Sequence, residues 1–551
     1  MATKQYYELS EIKAGPHFSP IKSIVETAFY GHNVTPIYSP KEMYKLAVDC
    51  PGTIVTDMEI FEPEKNGLPA GAKVLVFNDG GVQGRCAAAR RILGEPGVTV
   101  AKYSPILRDA IYAARNKKLY STSVYVGLDP KFMVKAHLCI PEGEENIMLS
   151  WMLNFQYCNE YYDAMYAKSG AIEGESDIYV FSDPQWTHPD FPMGLAFFDP
   201  EHNVACILGM RYFGEHKKGT LTLAWGIANR NGFCSCHGGQ KRYNLPDRSY
   251  VAAVFGLSGS GKSTITHAKH DGKYDVTVLH DDAFVISTGD NTFSVALEPA
   301  YFDKTQDYPA DHPDNKYLLT VQNDGVTLDK NGRKVIVPED IRNGNGRAVK
   351  SRFWSPNRVD LFEEPVNCII WLMKDPTLPP VIKISDPVIA AVMGATLATK
   401  RTTAERLAEG VDPNALVVEP YANPFRTYPL ADDYASFKKL FEENNVECYI
   451  FNTGSFMDKK VPKEVTLGSL EAIVENRASF KPFGKIDGMD YMPVDGFEPD
   501  FSDKSYAEQV AKRMEDRVSF IKSCETLKEG FNKLPDEALA TMKKVAEQAE
   551  K

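Results

Sequence analysis

The run Gly256-Leu-Ser-Gly-Ser-Gly261-Lys262-Ser263 follows directly on an apolar stretch, Tyr250 to Phe255, and has the spacing G-x-x-x-x-G-K-[ST]. Glycines at those positions let successive backbone N–H groups face phosphate oxygens with no side chain in the way. A buried strand must lead into such a loop and a helix must lead out of it. The apolar stretch supplies the strand, and residues 262–269 supply the helix. The spacing therefore predicts a mixed α/β domain holding a nucleoside triphosphate with its magnesium across Gly256, Leu257, Ser258, Gly259, Ser260, Gly261, Lys262, Ser263 and Thr264. Lys262 is expected to reach the outer phosphates and the Ser263 hydroxyl to hold the magnesium. A glycine-rich turn without a ligand is the blander reading, and the flanking signals weigh against it.

The next apolar run, Val276 to Leu279, ends in His280-Asp281-Asp282. An acid at a strand end facing the phosphate loop is where a metal-binding carboxylate belongs. Only 19 residues separate Lys262 from Asp281. That gap is shorter than in most switch or motor NTPases, which points to a less common kind of phosphate-loop protein. A solvated strand end is the alternative for both acids.

Further short apolar runs predict strands at Ala72 to Phe77, 177–184, 195–200, 203–214, 334–340, 367–375 and 447–454. Helices are predicted at 103–116, opened by Ser104-Pro105 with Ile106, Ile111 and Ala114 on one face, and at 431–445. From Ser505 onward Tyr506, Val510, Met514, Val518 and Ile521 recur at helical spacing, too briefly for a coiled coil. The expected division is 1–230, 231–500 carrying the phosphate loop, and a helical tail, 501–551.

The 551 residues carry a formal net charge of −12, and no basic run is long enough to track a nucleic-acid backbone. No apolar stretch reaches the length of a membrane span, and the first residues lack a signal-peptide core. The ten cysteines are scattered apart from Cys234 and Cys236, which suggests reduced thiols and a cytoplasmic home. Cys234, Cys236 and His237 together bring zinc to mind. Zinc needs a fourth ligand, however, and strand alternation turns His237 away from both cysteines. Taken alone, the Lys217-Lys218 pair reads as wet surface and His237 as an ordinary core or surface histidine.

Together with GMRYFGEHKKGTLT (209–222), CSCHG (234–238), VFGLSGSGKST (254–264), LHDD (279–282), ALEPAYFDKT (296–305), SRFWSP (351–356) and FNTG (451–454), these residues resemble the ATP-dependent phosphoenolpyruvate carboxykinase family, in the family's order and rough spacing. The loop resembles the ATP-using branch, since the GTP-using branch typically has a cysteine there. The resemblance implies a bilobal fold and interconversion of oxaloacetate plus ATP with phosphoenolpyruvate, carbon dioxide and ADP. It implies that Lys218, His237 and Asp282 hold a manganese ion, with Lys217 beside them. Ser263 and Asp281 would serve the nucleotide-bound magnesium, and Arg352 the transferring phosphate. Tyr212 and Arg85 would meet the organic acid, Glu298 and Lys304 would lie near the phosphates, and Lys460 and Thr466 would contact the nucleoside. A lysine ligates metal only when neutral, and a nearby dication lowers its pKa. A Lys, His and carboxylate set suits manganese better than calcium.

Two stretches depart from the family. Gly84-Arg85 is followed by Cys-Ala-Ala-Ala-Arg-Arg where the family usually has Ser-Pro-Lys, and Asp282 is followed by Ala283-Phe284-Val285 where Glu-His-Gly is usual. The donor side is expected intact and the acceptor side altered. Small-molecule substrates are expected, and the sequence leaves open whether the chain is a monomer or a homo-oligomer. Two other readings are a kinase of this fold acting on another small acid or a protein hydroxyl, and a nucleotide-binding regulator without turnover.

Overall fold

Apolar runs of five or six residues bounded by glycine and proline are too short for stable helices, and here they become buried strands. A computed structural model of the chain describes residues 1–14, 17–78, 84–257, 259–338, 346–400, 412 and 415–550. The described residues form a mixed α/β structure of two compact units. One takes in the described parts of Met1–Ile227 and Ala296–Pro356, and the other those of Ala228–Val295, Asn357–Thr402 and Asp412–Lys551.

Among the described residues, the first unit contains a ten-stranded mixed sheet. Its centre runs from Leu119–Asp129 through Phe132–Pro141 and Ile178–Asp183 to Val204–Leu208. Helices Pro20–Thr27 and Val100–Ala113 cover one face, burying Ile21, Val25, Tyr103 and Leu107 against Phe181, Phe197 and Cys206. A second, five-stranded sheet joins Ile54–Glu59 and Lys73–Phe77 to Leu318–Gln322, Arg347–Lys350 and Tyr301–Lys304. Thr320 pairs with Leu75 in parallel there, across a long stretch of sequence.

The second unit is built on an eleven-stranded sheet among the described residues. Ser249–Phe255, Cys368–Met373 and Glu447–Asn452 run parallel at its centre. One face packs Val254, Ile370, Leu372 and Phe451 against Ile265, Leu470 and Ile473. On the other face the fully buried Trp371 donates its indole N–H to the Ala390 carbonyl at 3.1 Å and meets Phe255, Tyr421 and Phe437 edge-on or tilted. Each such aromatic side chain contributes roughly 1.5–3 kcal/mol through burial.

Several local expectations change. The helix predicted to open at Ser104-Pro105 starts earlier, at Val100, where the Thr99 side chain caps the Lys102 N–H. Pro105 lies inside it, and the buried face is Tyr103, Leu107 and Ala110, continued by Ala114 just past the helix, with Ile106 and Ile111 partly buried against the same core. The run at 334–340 is strand only over Lys334–Val337, paired with Gly325–Leu328; Lys334 is exposed and donates its N–H to Asp57 Oδ2 at 2.7 Å, Ile336 is buried, and residues 339–340 lie outside the described residues. The segment 203–214 is strand only over Val204–Leu208, and from Phe213 the chain becomes the helix Phe213–Arg230. The tail helix Lys504–Cys524 buries Tyr506, Val510, Met514, Val518 and Ile521, as their spacing requires. All ten cysteines are free thiols, and no helix among the described residues is long and apolar enough to cross a membrane.

Candidate nucleotide and metal site

The loop after Ser249–Phe255 turns on glycines. Gly259 and Gly261 have φ of 79° and 94°, the left-handed region that other residues enter at a cost. A Cβ on Gly256 would lie 2.2 Å from Ser260 Oγ, so the position accepts only glycine without rearrangement. Lys262 then opens a short helix, Lys262–His267. Six residues give a weak macrodipole, so any anion here depends mainly on the loop's own N–H groups. Ser258 lies outside the described residues. Leu257 is buried, whereas Ser263 and Thr264 are exposed.

Asp282, just beyond the strand Val276–His280, is the hub of the arrangement. Its Oδ1 is 3.0 Å from His237 Nε2 and 3.4 Å from Lys262 Nζ. His237 projects from Phe233–Asn244, and its Nδ1–H donates to the Ala422 carbonyl at 2.5 Å. A carbonyl only accepts, so the ring's hydrogen is on Nδ1 in the neutral form. The Nε2 lone pair then faces a carboxylate oxygen. Two acceptors at that distance need a cation between them or a proton on the ring, and a divalent metal answers the need. Among the described residues no three His, Cys, Asp or Glu side chains gather as a metal site. The His237–Asp282 pair thus needs a third ligand of another type.

Asp281 faces His267, whose Nε2 is 3.3 Å from Asp281 Oδ2. Burial alone would raise this carboxyl. The His267 hydrogen bond, with the charges of His267, His280 and Lys262, outweighs burial and holds it well below the usual carboxylate range. It is therefore ionised and suited to a magnesium ion. Beside the loop, a cavity of about 500 Å³ is lined by Gly259, Ser260, Gly261 and Thr264 on one side and by Lys460 and Thr466 on the other. The volume is within the usual range for small-molecule sites.

The remaining candidates lie in the first unit. Lys217 and Lys218 stand on Phe213–Arg230; Lys217 is fully buried, with Nζ 2.9 Å from Glu298 Oε1. Asn154 Nδ2 donates to the other Glu298 oxygen at 2.7 Å. Lys218 is half-buried. Burial raises the Tyr212 phenol, and the Arg347 charge opposes that rise. Lys304 ends the strand Tyr301–Lys304. Arg352 borders a cavity of about 190 Å³, its NH1 3.3 Å from the Tyr162 hydroxyl and 3.5 Å from Gln156 Oε1. Arg85 is buried, and the next residue, Cys86, donates its N–H to Glu215 Oε1 at 2.6 Å. Burial raises the Glu215 carboxyl, and the Arg90 charge works against it.

Sequence reasoning passed over Glu215, Asn154, His267 and Ala422. Glu215 shares a helix with Lys217, but its partner Cys86 is far away in sequence. His267 lies on the helix that Lys262 opens, which was the one available signal.

The family model described as phosphoenolpyruvate carboxykinase matches residues 71–490. The chain is 27% identical over 351 residues to a protein of Aeropyrum pernix named phosphoenolpyruvate carboxykinase (ATP), covering 58% of this chain and 67% of that one. It is 22% identical over 397 residues to a protein of the same name from Bradyrhizobium sp. (strain ORS 278), covering 69% and 70%. It is 23% identical over 456 residues to another from Alkaliphilus oremlandii, covering 79% and 80%.

Proposed function

This chain belongs to the ATP-dependent phosphoenolpyruvate carboxykinase family, and from that membership we propose that it converts oxaloacetate and ATP into phosphoenolpyruvate, carbon dioxide and ADP, reversibly. The observation that supports this most directly is the meeting of His237 and Lys262 on one Asp282 oxygen. Nucleotide binding alone has no use for a histidine lone pair aimed at a carboxylate. A pair awaiting a second metal has one.

In the reaction, the C–C bond to the departing carboxylate breaks and its electron pair becomes an enolate. The enolate oxygen attacks the γ-phosphorus in line, and the bond to ADP breaks. No general base is required. His237 and Asp282, with Lys218, would hold manganese, and Asp281 and Ser263 the magnesium of the nucleotide. When bound, the metals would supply Lewis acidity and charge neutralisation. The loop N–H groups and Lys262 hold the β- and γ-phosphates and pre-orient them. Arg352 carries a fixed positive charge for the phosphoryl oxygens. Lys460 and Thr466 border the nucleoside. Arg85 and Tyr212 orient the organic acid. Glu298 neutralises Lys217 and fixes its position.

The experiment couples phosphoenolpyruvate formation to a dehydrogenase cascade, with oxaloacetate, manganese and either ATP, GTP or pyrophosphate. Turnover with ATP is expected. A second reading, phosphoryl transfer to a different small acid, draws support from the rebuilt segment after Arg85, where Cys86 is tied to Glu215. It predicts ATP consumption with that acid and no oxaloacetate-dependent carbon dioxide release.

A further inference from the structure

We propose that the first unit carries a second small-molecule site, on one face of its ten-stranded sheet, for a small organic anion with a planar body. The cavity is about 570 Å³ and lies within the usual range for ligand sites. None of the residues assigned above to nucleotide, metal or organic acid lines it.

Its floor comes from three adjacent strands. Ser121, Ser123 and Tyr125 alternate along Leu119–Asp129, Lys135 and His137 along Phe132–Pro141, and Tyr179 completes the row. Ser123 pairs with His137, and His137 with Tyr179, in the sheet register. A hydrogen-bonded chain fixes this floor. Ser123 Oγ is 2.7 Å from His137 Nδ1, and His137 Nε2 is 2.9 Å from Asp177 Oδ2. The other Asp177 oxygen accepts from Thr3 Oγ1 at 2.6 Å and from the Tyr166 hydroxyl at 3.1 Å. Asp177 is fully buried and His137 stacks on Tyr179, so the floor is rigid.

Lys135 gives the site its sign. It is half-buried, and its ammonium lies 5.8 Å above the Tyr125 ring and 6.0 Å from the Tyr166 ring, with no ion pair or hydrogen bond to a described residue. The carboxylate lining the cavity, Asp163, instead accepts from the Tyr125 hydroxyl at 2.7 Å. A half-desolvated cation held over ring faces, with no carboxylate partner among the described residues and serine hydroxyls on the same floor, favours an anion. The rim gives the ligand its shape. Tyr6, Tyr30 and Tyr38 line this one cavity while 79%, 68% and 75% exposed. Aromatic rings left in water around a polar floor offer faces to a flat body.

The test uses the full chain with saturating ATP and magnesium, so that the phosphate loop is filled. Calorimetry then measures binding of phenyl phosphate, 4-hydroxybenzoate and the neutral benzyl alcohol. Both anions are expected to bind, roughly tenfold or more tighter than the alcohol, as a charge-assisted contact implies. The tighter of the two identifies the anionic group. Lys135→Gln should weaken anion binding by about tenfold. Tyr38→Ala, a surface change that leaves the core alone, should weaken it severalfold. Lys262→Ala should leave it unchanged, which separates this site from the nucleotide. The proposal is overturned if neither anion binds, if benzyl alcohol binds as well, or if Lys135→Gln and Tyr38→Ala both leave affinity intact.

Discussion

Replacing Lys241 with methionine should stabilise the second unit near neutral pH and destabilise it in alkali. Lys241 is buried in the Phe233–Asn244 strand. Its ammonium donates to the Ala268 carbonyl at 3.1 Å, just past the helix that Lys262 opens, and lies 3.4 Å from His270 Nε2. Burial lowers its pKa from the ordinary 10.5 to about 7. The folded value is thus below the unfolded one. Below pH 7 both states are protonated, and folding bears the full cost of burying a charge. Between about 7 and 10.5 the unfolded chain binds more protons, so stability rises with pH. The gap corresponds to roughly 5 kcal/mol. Methionine removes that cost but leaves the Ala268 carbonyl without its donor, a loss of about 1–3 kcal/mol at any pH. Lys241→Met should therefore gain on the order of 2–4 kcal/mol near pH 7 and lose about 1–3 kcal/mol above pH 10.5. The difference should change sign near pH 9, roughly. Calorimetric melting of both proteins from pH 7 to 10.5 measures it, above the range where His270 titrates. A difference in Tm that is flat with pH would refute the reasoning, because Lys241 would then keep its proton over the same range in the folded and unfolded chains.

Lys262→Ala should cut phosphoryl transfer from ATP by roughly 10²–10³-fold with the melting temperature little changed; near-normal turnover would mean that another group holds the phosphates. His237→Ala should raise the manganese concentration for half-maximal activity by at least about tenfold, read from a metal titration, and an unchanged requirement would remove His237 from the metal site. Glu215→Ala releases the Cys86 N–H beside Arg85 and should raise the KM for the organic acid about tenfold while the KM for ATP stays put. Equal rises in both would assign Glu215 a merely structural role. Trp371→Ala should cost about 3–5 kcal/mol, measured as loss of stability of the second unit, since Phe255, Tyr421 and Phe437 cannot close the gap.

Local patterns made some of this legible in advance. The glycine run at 256–261 encodes its own turn, and strands such as Cys368–Met373 and Glu447–Asn452 announce themselves as unbroken apolar stretches. The helix Phe213–Arg230 did not. It is buried around much of its girth, with Leu221, Leu223, Ala224, Trp225 and Ile227 all inside, and three glycines interrupt its pattern, so no amphipathic period marks it. The Lys217–Glu298 and Cys86–Glu215 contacts were invisible for another reason. They join residues far apart in sequence, and periodicity carries no information about partners. The Ala422 carbonyl that orients His237 is a backbone atom, which no residue type betrays.

The parallel pairing of Lys73–Phe77 with Leu318–Gln322 bears on how the protein is made. At about 5–20 residues per second, the ribosome needs tens of seconds to deliver the later strand after the earlier one emerges. Throughout that interval the edge of Lys73–Phe77 that Leu318–Gln322 will occupy stays open, a row of unpaired N–H and carbonyl groups with Val74, Leu75 and Val76 as its apolar content. Nascent chains stalled in this window would be the aggregation-prone species, and chaperones that shield extended segments would be the helpers this protein most needs.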